Sequence, residues 1–195
     1  MSANPIDVML VDDHQMVLQG LTKLVGKDPQ LRVVAQCQDS LKVLALAEEL
    51  RPHVIVLDIV MKGLNGLDLC RDLKRKLKGV AVLMLTMHDD REFQARAIEN
   101  GASGYVVKGA PAHDLMEAIH AVAEGRMWLP GGVSKDLLDR VRGAQKDPFD
   151  TLSSRERQVI QMIVEGHTSR QIGEQLGLAL KTVEAHRMRM MKKLG

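Results

Sequence analysis

Four apolar runs in this sequence close on polar residues of a restricted kind. IDVMLVD (6–12) ends on Asp12 and is followed by Asp13, HVIVLD (53–58) ends on Asp58, VAVLMLT (80–86) on Thr86 and SGYVVK (103–108) on Lys108. An acid after such a run has an ordinary explanation as a helix cap. Three carboxylates brought into one basin would be another matter, because they repel one another strongly. A hard divalent cation among them relieves that repulsion, and Mg²⁺ favours oxygen ligands while keeping several waters. Beside such an ion, one carboxylate can attack an activated phosphoryl group and become an acyl phosphate. Lys108 would then pair with a phosphoryl oxygen as a point charge, and the Thr86 hydroxyl would hydrogen-bond one.

Whether these residues meet depends on the elements that carry them. With LRVVAQC (31–37), the apolar runs make five strands in the first 125 residues. Helical periodicity fills the gaps: 14–26 (Val17, Leu21, Leu24, Val25), 40–50 (Leu41, Leu44, Ala45, with Leu50), 65–77 (Leu69, Leu73, Leu77), 90–100, and 112–124 (Leu115, Ile119, Val122). Alternating strands and helices imply a doubly wound α/β domain with right-handed crossovers and helices on both faces. Ligands of such sheets sit at the carboxyl ends of the strands, at the point where strand order reverses. The polar residues above all occupy carboxyl ends.

Residues 126–149 contain Pro130, Gly131, Gly132, Gly143 and Pro148 around a short amphipathic piece at Leu137, Leu138 and Val141, and read as a linker with a small helix. The domains expected are therefore 4–125, this linker, and 150–195. In the last, Ser153 with Glu156 and Thr168 with Gln171 form two capping boxes, opening helices closed by Gly166 and Gly177. A third helix, KTVEAHRMRMMKKLG, follows a tight turn, which matches helix-turn-helix geometry. From Thr151 onward there are eight Lys or Arg against four Glu, so this segment carries +4 of a chain whose net charge is +2. A polyanion-binding module has that asymmetry, although a solvated helix face can also be basic. On the third helix Val183, the stem of Arg187, Met190 and Leu194 share a stripe that would face the core. Glu184, Ala185, Met188 and Lys192 lie on another face, where Glu184 can accept from cytosine N4 and Ala185 can touch a thymine methyl. Lys181, Thr182, His186, Arg189 and Lys193 are candidate phosphate or groove contacts.

Composition excludes several classes. At 45% apolar and 27% charged over 195 residues, the chain is an ordinary globular one. Its apolar runs are strand-sized, too short for a membrane span, and no secretory signal opens it. Cys37 and Cys70 form no CxxC and read as free thiols of a reducing cytoplasm, and no HExxH spacing suggests zinc. An α/β enzyme is the competing class, but VDDHQMV after the first strand lacks the glycines of a dinucleotide or P-loop fingerprint.

VDDH (11–14), LDIVMKGLNGLDL (57–69), MLTMHDD (84–90) and GASGYVVKG (101–109) resemble the receiver domain of bacterial two-component response regulators. The segment LSSRERQVIQMIVEGHTSRQIGEQLGLALKTVEAHRMRMMKKLG is similar to the LuxR-type helix-turn-helix, and together they resemble the NarL/FixJ class. The resemblance implies a flavodoxin-like, five-stranded parallel sheet of order 2-1-3-4-5 followed by a small all-α domain. It implies that Asp58 accepts a phosphoryl group from a sensor histidine kinase and that the receiver promotes its own dephosphorylation without being an enzyme in the usual sense. Asp13 and Asp58 match Mg²⁺ ligands, joined by the Val60 carbonyl and assisted by Asp12. Thr86 and Tyr105 match a switch pair, Lys108 the lysine of the site, and Glu184, Ala185 and Met188 positions near base edges. A cytoplasmic transcription regulator that binds double-stranded DNA and dimerises when phosphorylated follows, with no membrane partner. The alternative is a phosphorylation-independent DNA binder whose receiver is a dimer interface. Three departures stand out: Lys62 replaces the usual proline of the loop after Asp58, Ala179 replaces the usual serine cap of the third helix, and the class continues past Gly195 with a further helix that supports dimerisation.

Overall fold

Alternation along the strands sorts the first unit's core into two layers. In this computed structural model, which describes residues 4–87, 91–132 and 152–194, β1 (Ile6–Val11), β2 (Leu31–Cys37), β3 (Val54–Asp58), β4 (Ala81–Thr86) and β5 (Gly104–Val107) form one parallel sheet. Its order is β2-β1-β3-β4-β5, as the resemblance implied. Met9, Val11, Ile55, Leu57, Val82 and Met84 pack with Val43 and Ala47 of α2 (Val43–Leu50), Leu69 and Leu73 of α3 (Gly66–Lys76), and Ala95 and Ile98 of α4 (Arg91–Glu99). The alternate residues Val8, Leu10, Val54, Val56, Leu83 and Leu85 pack with Leu18 and Val25 of α1 (Gln15–Val25) and Leu115, Ile119 and Val122 of α5 (Ala112–Ala123). Burial on both faces is why these strands are apolar at nearly every position.

The helix phase expected for 40–50 is corrected. The Lys42 N–H bonds the Asp39 carbonyl in a turn, and α2 starts only at Val43. Val43 and Ala47 therefore face the core, while Leu41 and Leu50 are exposed.

Of the expected linker only residues 126–132 are described, and they lie against the sheet. Trp128 forms a parallel bridge with Gly104, its carbonyl accepts from Tyr105 N–H, and Leu129 is buried. The helix expected around Leu137, Leu138 and Val141 falls outside the described residues. The chain divides into two compact units, Met1–Gly143 and Ala144–Gly195. Among the described residues no helix is long and apolar enough to cross a membrane. Cys37 and Cys70 are free and buried.

The second unit consists of α6 (Ser154–Val164), α7 (Ser169–Leu176) and α8 (Leu180–Leu194). Both capping boxes form: Ser153 with Glu156 and Thr168 with Gln171 satisfy each other's backbone donors. Gly177 closes α7 at φ +64°, a left-handed conformation that glycine adopts without strain. The turn into α8 also needs Gly173, since a Cβ there would stand 2.7 Å from the Leu178 carbonyl. Leu152, Val159, Ile172, Val183 and Met190 form the core.

Candidate functional site

The strand order reverses between β1 and β3, and the acids sit at the carboxyl ends of those two neighbours. Asp58 is the last residue of β3, and Asp12 and Asp13 directly follow β1. Asp12 and Asp58 are almost fully enclosed. Lys108, just past β5, bridges them: its Nζ donates to Asp12 Oδ2 at 2.7 Å and to Asp58 Oδ2 at 2.8 Å. Burial pushes the Asp58 carboxyl above its ordinary value, against the pull of the Lys108 bond and charge. Burial works against the Lys108 ammonium, but its bonds to Asp12 and Asp58 outweigh that and hold it above its ordinary value.

Asp13 is placed differently. Its Oδ2 accepts from the Lys62 N–H at 3.2 Å. Its Oδ1 is enclosed without a hydrogen bond. The His14 ring Nδ1 is 2.8 Å from that oxygen, but it also lies 3.2 Å from Asp12 Oδ1, where it does make a hydrogen bond. The ring nitrogen carries at most one proton, and the hydrogen bond it makes goes to Asp12.

Asp12, Asp13, His14 and Asp58 each offer a ligand atom, and these atoms lie within 4.8 Å of one another. An unsatisfied enclosed carboxylate oxygen in an oxygen-rich basin fits a hard divalent cation. His14 was not among the residues expected here; its only sequence signal is its place after Asp13. The Val60 N–H reaches Asp58 Oδ1 in a long 3.4 Å contact.

Thr86 and Tyr105 lie on neighbouring strands, β4 and β5. Thr86 pairs with Val107 and Met84 with Tyr105 across β4 and β5. Tyr105 belongs to the core layer under α2, α3 and α4, and neither it nor Thr86 exposes any surface. Residues 88–90, within the quoted MLTMHDD, fall outside the described residues.

The loop after Asp58 turns back sharply. The Gly66 N–H donates to the Ile59 carbonyl at 2.8 Å. A Cβ at Gly66 would stand 2.1 Å from the Asp58 carbonyl oxygen, so only glycine lets α3 begin this close to the site.

On α8, Lys181, Thr182, Glu184, Met188, Arg189 and Lys192 are exposed, and Ala185 is half-buried. One expectation changes. Arg187 is exposed and donates to Ser169 Oγ at 2.9 Å instead of laying its stem on the core stripe. Lys193 donates to the capping-box Glu156 at 2.6 Å. His186 is half-buried with its Nδ1 enclosed and unbonded, and burial, with the nearby Arg189 charge, holds its pKa below the usual value. Leu194, the last of the expected stripe, belongs to α8. The Ala179 carbonyl accepts from Thr182 and Val183 at the start of this helix.

Residues 8–120 match the family described as response regulator receiver domain, and residues 150–195 match bacterial regulatory proteins of the luxR family. The DNA-binding transcriptional activator DevR/DosR of Mycobacterium tuberculosis is 38% identical, covering 97% of this chain and 88% of its own length. The nitrate/nitrite response regulator protein NarP of Escherichia coli is 35% identical, covering 98% and 90%. Among solved structures, RcsB from Salmonella enterica serovar Typhimurium, bound to promoter rprA in the presence of the phosphomimetic BeF3-, aligns with a TM-score of 0.60 at 26% identity, covering 98% of this chain and 93% of that one.

Proposed function

This chain belongs to the response regulators that join a receiver domain to a LuxR-type helix-turn-helix, DNA-binding regulators switched by phosphorylation, and we propose that Asp58 is the residue that carries its switch. The observation behind this reading is the convergence of Asp12, Asp13 and Asp58 with Lys108 at the strand-order reversal. The donor is a sensor histidine kinase or a small acyl phosphate. An Asp58 carboxylate oxygen attacks phosphorus, the bond from phosphorus to the donor breaks, and the donor leaves with the electron pair.

Asp13, Asp58 and the Val60 carbonyl are the proposed Mg²⁺ ligands, with Asp12 assisting. Bound there, Mg²⁺ would offset the crowded negative charge of basin and phosphoryl group. Lys108 moves one of its bonds from carboxylate to phosphoryl oxygen, and the Thr86 hydroxyl turns to another. Tyr105 follows Thr86 as the aromatic member of the switch. Its ring is fully enclosed. Phosphate then biases an existing equilibrium toward the form that dimerises and binds DNA. Inverting that equilibrium from 1:99 takes about 5.5 kcal/mol of differential stabilisation.

For DNA, Glu184, Ala185 and Met188 are the proposed base-edge contacts, with Lys181, Thr182, Arg189 and Lys192 on phosphates or groove walls. The test of the switch is incubation of the full chain with acetyl phosphate and Mg²⁺, followed by intact mass and peptide mapping. Wild type gains one phosphoryl group on the peptide that holds Asp58, and Asp58→Ala gains none. No label on wild type favours the phosphorylation-independent alternative, and equal labelling of both places the acceptor elsewhere than Asp58.

A further inference from the structure

The loop at residues 59–65 has to carry the Val60 carbonyl to the acid basin and still turn back within a few residues to start α3 at Gly66. No proline stiffens it. Lys62 stands where the class pattern has proline, and Gly63 adopts φ +92°. Stiffening also comes from the turn after the carboxyl end of β2.

Ser40 lies between β2 and α2 and is 1% exposed. Its Oγ donates to the Lys62 carbonyl at 2.9 Å and accepts from the Leu64 N–H at 2.8 Å. A hydroxyl has one proton and two lone pairs, so a single side chain can bracket the loop in this way. Between the two bonded residues sits Gly63, so close that a Cβ there would stand 2.6 Å from Ser40 Oγ. The same stretch presents the Lys62 N–H to Asp13 Oδ2, and a proline at that position would have no such donor.

We propose that Ser40 is a positioning residue of the metal site: by clamping residues 62–64 it fixes the Val60 carbonyl and the Lys62–Asp13 bond, and so sets Mg²⁺ affinity. This rests on the Mg²⁺-dependent reading of the basin. Ser40 touches neither metal nor phosphoryl group. It acts through the loop, as outer partners of metal ligands do.

The test is calorimetric titration of the full chain with Mg²⁺, alongside amide exchange at Lys62 and Leu64. Ser40→Ala weakens Mg²⁺ binding about tenfold, and both amides exchange faster. Leu41→Ala, an exposed neighbour in the same turn, keeps wild-type affinity. Urea unfolding of each variant separates positioning from simple support, since a purely structural role lowers stability and leaves Mg²⁺ affinity unchanged. Wild-type affinity in Ser40→Ala with faster Leu64 exchange overturns the proposal while the metal reading stands. Absence of Mg²⁺ binding by wild type overturns both, and is identified from that curve alone. Should Ser40→Ala not fold, Ser40→Cys, with a weaker donor and acceptor in similar volume, gives the same comparison.

Discussion

In metal-free solution, replacing Asp58 by asparagine stabilises the first unit. Ionised Asp58 shares its basin with Asp12 and Asp13 at separations within 4.8 Å, and faces one ammonium at 2.8 Å. At an effective dielectric near 20, each neighbouring carboxylate repels it by about 3.5 kcal/mol, together about 7, and Lys108 attracts it by about 6. These nearly cancel, so desolvation decides the sign, and burying an ion costs several kcal/mol. An asparagine gives up less hydration and still accepts from Lys108. Lys108 keeps its 2.7 Å bond to Asp12, so no charge is orphaned. The expected gain is about 2 kcal/mol at pH 7.

The pH dependence carries the same sign. Burial holds the Asp58 carboxyl above its ordinary 3.8, so its ionisation opposes folding. The advantage of asparagine is absent below pH 3.8 and grows as pH rises through the folded-state value. Trp128 is the sole tryptophan and lies in the first unit, so its fluorescence during urea unfolding reports that unit alone. With EDTA the variant unfolds at higher urea. Mg²⁺ at ten times its Kd then adds about 1.4 kcal/mol to wild type and less to the variant, narrowing the gap. A variant less stable than wild type in EDTA at pH 7 would refute the reasoning, because the Lys108 pair would then outweigh crowding and burial.

Three further outcomes concern the second unit. Lys193→Met leaves the nearly enclosed Glu156 with only its capping bonds, which lowers that unit's stability by about 2 kcal/mol, read as a lower far-ultraviolet melting temperature. Burial pushes the Glu156 carboxyl up, but bonds from Lys193 and Ser153 outweigh it and hold it below 4.5. Its contribution is therefore present above pH 4.5 and lost as pH falls through the folded value, and Glu156→Gln removes this acid dependence. Lys181→Ala and Arg189→Ala each weaken DNA binding across sequences and reduce the salt slope by about one, whereas Lys193→Met leaves that slope unchanged.

The strand ends were legible because burial on both faces makes an apolar run conspicuous, and a terminal Asp, Thr or Lys then stands out against it. Both capping boxes were legible because their chemistry is local, confined to residues three apart. The phase of α2 was not: Leu41 is as apolar as Val43, and only the turn at Asp39 decides where the helix begins. Lys193 reads as one more cation of a basic helix until α6 brings Glu156 beside it. Ser40 has no signal at all, since a serine before a helix is commonplace and its partners lie more than twenty residues away. The substitution of lysine for proline at 62 looked like a loss of stiffness. In the fold it supplies an N–H to Asp13, with Ser40 holding the loop from outside.

The most direct test of the switch couples both units in one measurement. A duplex is selected from a random-sequence library by the phosphorylated full chain, and its Kd is then measured for wild type and Asp58→Asn, with Mg²⁺, with and without beryllofluoride. Wild type with beryllofluoride binds at least about tenfold tighter, a shift of about 1.4 kcal/mol, and Asp58→Asn shows no change. An equal response of both proteins, or a wild-type affinity indifferent to beryllofluoride, would contradict the switch.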